Sequence, residues 1–168
     1  MRIIVTDSCS LIDLRKGGLL HAFLELPHEL IIPESLLHDE LLSFSEEDHR
    51  LMRRKMTVAP LDGVAMTKVR ALNKSAPALS IHDCMAFVIA QNLDNPILLT
   101  GDRRLRTIGE AAAITCHGVL WAVDEIAAHQ VSSGRILLAA LEFWRDDPLV
   151  RLPGDLLRKA IAKYRASR

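Results

Sequence analysis

The chain has 168 residues, of which 49% are hydrophobic and 25% charged, and its formal net charge is zero. These values are ordinary for one soluble globular domain, and the length is short for two. No apolar run reaches the roughly 20 residues that a membrane-spanning helix needs, and Asp7 interrupts any signal-peptide core. The three cysteines are too widely spaced for a zinc-finger or disulfide pattern. Composition therefore predicts a cytoplasmic protein with free thiols.

Charge is unevenly distributed along the chain. Residues 1–50 contain ten acidic and four basic residues, whereas residues 151–168 contain six basic residues and one acidic residue. Further basic clusters lie at residues 53–55 and 103–106. This distribution fits a cation site beside a surface that binds a polyanion, and it also fits helix faces that are simply solvated.

The first 60 residues alternate short apolar segments with helical patterns. We expect Pro33 to occupy the first position of a helix, where its missing N–H costs nothing. Ser45 is a typical cap for the charged helix that follows. The predicted elements are, in order, strand Arg2–Thr6, helices Ser8–Leu14 and Leu19–Leu26, strand Leu30–Ile32, a helix from Pro33 to Leu41, a helix from Ser45 to about Lys55 and a minor strand Thr57–Ala59.

The remainder of the chain continues this alternation and ends in helices. Its predicted elements are helices Asp62–Asn73 and Ser80–Leu93, strand Pro96–Thr100, helix Arg103–Ala112, strand Ile114–Cys116 and helices Val119–Ala128, Ser133–Trp144 and Pro153–Tyr164. Strands that alternate with helices predict a three-layer α/β/α fold with a short parallel central sheet. We expect residues 1–130 to form the main domain, with residues 131–168 as a helical extension packed on it.

Four carboxylates lie near the predicted junctions between strands and helices. Asp7 and Asp102 directly follow strands, at the edge where parallel sheets form their sites. Each also suits a helix N-cap, and Asp83 with Ser80 resembles a capping box. Glu40, beside Asp39, could be a solvated surface acid. Taken singly, none of these residues requires a catalytic role.

The combination of the four acids favours a metal site. Carboxylates gathered in one place repel one another strongly at low dielectric, and bound cations relieve that repulsion. Oxygen ligands with room for water suit Mg²⁺ or Mn²⁺. By contrast, His38 and His82 are predicted to be structural, and Trp121 and Trp144 to be packing residues.

The sequence resembles the PIN-domain nucleases at these same acids. The first Asp is followed by small polar residues and an aliphatic pair, and the third motif places its Asp three residues after a Ser. The similarity covers about residues 2–128. Its four motifs, in the family's order and spacing, are Asp7–Ile12, Ile32–Leu41, Leu79–Asp83 and Leu98–Leu105.

The resemblance implies a Rossmann-like sheet with a nuclease site that depends on Mg²⁺ or Mn²⁺. Many small members of the family are VapC-like toxins that cut RNA, are silenced by an antitoxin protein and commonly form homodimers. The site would be supported by Thr100 and Ser8. The implied catalytic and metal-binding residues are Asp7, Glu40, Asp83 and Asp102, and the expected phosphate contacts are Arg103, Arg104 and Arg106.

One position departs from the family's pattern and bears on the alternatives. The family usually has Ser, Thr or Asn two residues after the first Asp, where this chain has Cys9. The same residue argues against a haloacid-dehalogenase-type phosphatase, which needs a second Asp there, and Asp7-Ser8 lacks the acidic pair of a phosphoreceiver domain. Cys9 leaves open a non-catalytic RNA-binding or antitoxin-binding module on the same fold.

Overall fold

A computed structural model describes residues 1–166 of the chain. Parallel strands alternate with one or two helices as far as His117, and three helices follow. The strands are β1 (Ile3–Thr6), β2 (Glu29–Pro33), β3 (Met56–Ala59), β4 (Ile97–Leu99) and β5 (Thr115–His117). The helices are α1 (Ser8–Lys16), α2 (Leu20–Leu24), α3 (Glu34–Asp39), α4 (Glu46–Lys55), α5 (Gly63–Ser75), α6 (Ile81–Gln91), α7 (Arg103–Ala111), α8 (Val119–Ala128), α9 (Gly134–Asp146) and α10 (Gly154–Ala166).

The five strands form one parallel sheet in the order β3-β2-β1-β4-β5. The chain adds β2 and β3 on one side of β1 and then returns to add β4 and β5 on the other. The strand order therefore reverses between β1 and β4, and the loops after these two strands lead to opposite sides of the sheet. A crevice forms at the carboxyl end of such a reversal.

Side chains alternate between the two faces of the sheet, and each face has its own apolar core. Ile4 and Leu99 face the helices α1, α2, α8, α9 and α10, whereas Val5 and Leu98 face α5, α6 and α7. All four side chains are fully buried. The predicted three-layer α/β/α fold with a short parallel sheet is therefore confirmed.

The two C-terminal helices contribute to the first of these cores. Trp144 of α9 is 1% exposed, and its Nε1 donates a hydrogen bond to the Asp13 carbonyl at 2.8 Å. Leu157 and Tyr164 of α10 are also buried there. The division of the chain near residue 130 stays a prediction. Among the described residues, no helix has the length and apolar character needed to cross a membrane.

The predicted helix from Pro33 to Leu41 is wrong at both ends. Pro33 is the last residue of β2 and pairs in register with Ala59. Its backbone is therefore extended, and it is the N-cap residue of α3 rather than the first residue of the helix. The helix ends at Asp39, and Glu40 becomes its C-cap. The last strand lies one residue later than predicted, because Leu99 pairs with His117. The other elements shift by a few residues at their ends.

Helix α7 packs so closely on the sheet at Gly109 that an added methyl group should lower the stability of the protein. A Cβ at Gly109 would lie 2.6 Å from Cys116 Sγ and 3.4 Å from Leu98 Cδ2. Gly109→Ala should therefore lower the free energy of unfolding by about 1–3 kcal/mol through overpacking. This loss should exceed the roughly 0.5–1 kcal/mol that alanine gains in a helix.

Thermal or urea denaturation measures the effect. Gly134→Ala is the matched control, because a Cβ there meets no atom within 4 Å. A Gly109→Ala protein as stable as the parent would show that the α7–β5 contact is looser than described.

Candidate active site

Asp7 lies at the junction of β1 and α1, where it caps the helix and is almost entirely buried. Its Oδ1 accepts a hydrogen bond from the Ser10 backbone N–H at 2.8 Å. The residue is only 1% exposed. Its Oδ2 is buried and has no hydrogen-bond partner among residues 1–166. The helix cap thus engages Oδ1 of Asp7 and leaves Oδ2 available to a ligand.

Burial also changes the acidity of Asp7. Desolvation raises the pKa of Asp7 to about 6, although the Thr100 hydroxyl and the polar groups of Ser10 act in the lowering direction. The neighbouring Asp83 carboxylate adds to the rise in pKa. A cation beside Asp7 would reverse this penalty, so the residue fits a metal ligand.

Asp102 holds the corresponding position after β4. Its Oδ1 accepts hydrogen bonds from the backbone N–H groups of Arg104 at 2.7 Å and Leu105 at 2.9 Å. The Asp102 N–H donates to Thr100 Oγ1 at 3.0 Å, and Thr100 is fully buried. Thr100 therefore fixes the turn that presents Asp102, and its supporting role in a functional site stays a prediction.

Asp83 forms the predicted capping box at the start of α6. The Ser80 hydroxyl accepts from the Asp83 N–H at 3.0 Å, and Asp83 Oδ2 accepts from the Ser80 N–H at 3.1 Å. Burial raises the pKa of Asp83, and the nearby carboxylates of Asp102 and Glu40 raise it further. Asp83 is thus a cap that also faces the other acids.

Glu40, at the end of α3, is joined to α6 by a histidine. His82 Nδ1 lies 2.7 Å from Glu40 Oε1, and His82 Nε2 lies 3.1 Å from Asp39 Oδ2. The sequence predicts only a structural role for His82 and does not reveal this bridge. Its position immediately before Asp83 was the available signal, but the partner 42 residues earlier could not be read locally.

The structure brings the four predicted acids to the same edge of the sheet without packing them tightly. Asp7 interacts electrostatically with Asp83, and Asp83 with Asp102 and Glu40. Within residues 1–166, however, no three of these carboxylates place oxygens within 4.8 Å of one another. Each acid is held by its own helix end or by His82. The distance between the carboxylates limits their mutual repulsion.

The two residues after Asp7 also contribute to the surroundings of the site. Ser8 is buried at the start of α1, as a supporting residue would be. Cys9 is exposed on α1, but partial desolvation of its thiol, followed by the charges of Asp7 and Asp83, raises the pKa of the Cys9 thiol. Cys9 is therefore a neutral group in an acidic cluster.

A cavity of about 630 Å³ adjoins the acids and carries positive charge. Its wall includes Gly101, next to Asp102, and the arginines Arg103, Arg106 and Arg151, which outnumber its one acid, Asp13. Arg106 Nη2 donates to the Thr100 carbonyl at 3.4 Å, which holds it near the β4–α7 turn. The predicted Arg104 does not line this cavity, and Arg151 was not predicted because it comes from the C-terminal part of the chain. We call this feature the arginine groove.

In a parallel α/β sheet, ligands bind at the carboxyl edge where the strand order reverses. The carboxylates of this protein lie at that edge. The family model DUF3368, described as a PIN domain, matches residues 3–165. The chain belongs to the PIN-domain family, which is of the nuclease type and typically uses divalent metals. The resemblance noted in the sequence is thereby confirmed. No curated protein and no solved structure gives a significant match.

The desolvation of Asp7 predicts a stabilising substitution. The folded-state pKa of about 6 lies above the ordinary value of 3.8, so ionised Asp7 destabilises the metal-free protein at pH values above 6. Asp7→Asn keeps the helix cap and should raise the free energy of unfolding at pH 7.5, by at most about 3 kcal/mol. The gain should shrink as the pH falls below 6 and vanish near pH 4.

Denaturation in the presence of EDTA across this pH range measures the difference. Asp62→Asn is the control, because Asp62 caps α5 in the same way but is exposed. Equal effects of the two substitutions at pH 7.5 would rule out burial of Asp7 as the cause.

Proposed function

We propose that this PIN-domain protein is a metal-dependent endoribonuclease that hydrolyses RNA phosphodiester bonds. The observation that carries the proposal is Asp7, whose buried Oδ2 lacks a partner within residues 1–166 and whose carboxylate interacts with that of Asp83. Asp83 interacts in turn with Asp102 and Glu40. A buried carboxylate with raised pKa beside other acids is typical of a functional site.

The donor set fits a hard divalent cation, Mg²⁺ or Mn²⁺. Asp7 and Asp102 would bind it, with Asp83 contributing directly or through water. Glu40 would hold a second cation or orient the attacking water. When bound, the cation supplies Lewis acidity that activates water and offsets negative charge on the phosphate.

The protein's own part is to hold these acids in position. Thr100 sets the turn before Asp102, Ser80 fixes Asp83 in the capping box, and His82 ties Glu40 to the start of α6. Partners that orient a ligand in this way have a large effect on metal affinity. Ser8 is proposed as a further support of the loop that carries Asp7.

The arginine groove is the proposed path of the RNA. Arg103 and Arg106 line it together with Arg151, and it reaches the acids at Gly101. Arginines bind phosphate oxygens strongly and position a strand without reading its sequence. Arg104, outside the groove on the exposed side of α7, is proposed to contact phosphates beyond it.

The finer biological role is proposed from the similarity to small PIN toxins. The chain would be the toxin of a toxin–antitoxin pair, with RNA as its substrate, an antitoxin protein as its partner and a homodimer as its assembly. A second candidate is a non-catalytic RNA-binding or antitoxin-binding module. The open spacing of the carboxylates and Cys9 at a position where the family usually has a hydroxyl or amide favour this alternative.

Metal-dependent cleavage separates the two candidates. We expect the purified protein to cut structured RNA with Mg²⁺ or Mn²⁺ and to stop when EDTA is added. Asp7→Asn and Asp102→Asn should each lower the rate by roughly 100-fold or more, because losing even the groups that orient a metal's ligands costs 10–100-fold. Asp62→Asn, which changes an exposed cap of α5 outside the proposed ligand set, should cut at the parental rate.

Gel assays of product formation, with circular dichroism to verify folding, provide the measurement. Folded parent protein that binds RNA but never cuts it with either metal would overturn the nuclease proposal in favour of the binding module.

The arginine groove predicts a specific dependence of RNA affinity on salt. Each phosphate contact that is lost should lower the slope of log affinity against log salt by about 0.7 for single-stranded RNA. Arg103→Gln and Arg151→Gln should each show such a loss in fluorescence anisotropy titrations. Arg70→Gln, an exposed substitution on α5, should leave the slope unchanged. Equal slopes for all three variants would place the RNA elsewhere.

A further inference from the structure

Two histidines and a glutamate meet at the amino-terminal edge of the sheet, opposite the carboxylate site. His28 immediately precedes β2, while Glu125 lies in the last turns of α8 and His129 is that helix's C-cap. Because α8 begins at the carboxyl edge after β5 and runs back along the sheet, its end lies at the other edge. The nuclease site makes no use of these side chains.

The three side chains are already spaced as ligands of one ion. His28 Nε2 lies 2.8 Å and His129 Nε2 lies 3.7 Å from the same oxygen, Glu125 Oε2. One donor atom from each residue lies within 4.8 Å of the others. A tetrahedral Zn²⁺ with bonds of 2.0–2.1 Å separates its ligands by about 3.4 Å, so small adjustments suffice. Among the described residues, no other three His, Cys, Asp or Glu side chains place their donor atoms within 4.8 Å of one another.

Burial fixes His28 in place. The His28 side chain is 4% exposed, so the surrounding packing holds its Nε2 beside Glu125. The buried His28 Nδ1, which has no hydrogen-bond partner in residues 1–166, points away from Glu125, because the two nitrogens of an imidazole point in different directions. The His129 side chain is 37% exposed, which gives an ion a route to the group from solvent.

The end of α8 favours a cation at this position, whereas the nearby charge of Arg2 acts against one. The C-terminal end of α8 carries the negative end of the helix dipole, close to His129. Glu125 and His129 stand four residues apart on this helix, so they share a face. Arg2 Nη1 donates to the other Glu125 oxygen, Oε1, at 3.0 Å. Arg2 thereby orients the carboxylate and leaves Oε2 directed at the histidines.

We propose that His28, Glu125 and His129 form a second metal site that binds a Zn²⁺-like transition metal, with water completing the coordination. Two imidazoles and one carboxylate suit Zn²⁺, whereas Mg²⁺ prefers oxygen ligands. The ion would fasten the end of α8 to the segment that enters β2. The proposal is independent of the nuclease function.

The test uses the full chain carrying Asp7→Asn and Asp102→Asn, which removes two of the four proposed ligands of the carboxylate site. After removal of metals with a chelator, we expect one Zn²⁺ per chain by calorimetry and a tetrahedral absorption spectrum with Co²⁺. At a free Zn²⁺ concentration about 100-fold above the dissociation constant, the melting temperature should rise by roughly 5–10 °C.

His129→Gln is the decisive variant, because its exposed side chain can be replaced without disturbing the core. It should weaken Zn²⁺ binding by about 10-fold or more and abolish the Co²⁺ spectrum. His21→Gln, which replaces an exposed histidine on α2, should bind Zn²⁺ like its parent. Absence of stoichiometric Zn²⁺ binding in the parent, or unchanged binding in His129→Gln, would overturn the proposal.

Discussion

The parallel pairing of β1 with β4 is the constraint on which the candidate active site depends. Thr6 pairs with Leu99, and the next backbone N–H, that of Asp7, donates to the Leu99 carbonyl at 3.2 Å. This register brings the ends of two strands together although almost 100 residues separate them. The helices that follow the strands diverge to opposite faces, so their first turns surround a crevice. Asp7 and Asp102 enter that crevice because each occupies the position directly between its strand and its helix.

Capping and ligand binding are compatible uses of the same carboxylates. A helix cap engages one oxygen with backbone N–H groups, as Asp7 does with Ser10 and Asp102 does with Arg104 and Leu105. These hydrogen bonds fix the side chains before any ligand arrives, which is what a preorganised site requires. Burial of Asp7 at this position desolvates its carboxylate, which raises the pKa of the residue. The observation that an Asp caps a helix therefore does not argue against a role in metal binding.

The two edges of the sheet carry different donor chemistry. The carboxyl edge collects four acids, three at helix starts and Glu40 at the end of α3, and hard cations are the natural ligands of such a group. The amino edge collects His28, Glu125 and His129 around the end of α8, where the helix dipole has the opposite sign. Arg2 contacts Glu125 and also lies over the Trp121 ring at 5.6 Å. The proposed zinc site is therefore embedded in the packing of α8 and is separated from the candidate active site by the length of the sheet.

The sequence by itself determined the features that depend on neighbouring residues. The β-branched strand before Asp7 and the capping box of Ser80 and Asp83 were predictable, because propensities and caps act over a few residues. Only the tertiary structure decided that His82 contacts Glu40, that Arg151 joins the arginine groove and that His28 meets Glu125. These partners lie 42 or more residues apart, and their proximity follows from strand order and helix packing, which no local pattern encodes.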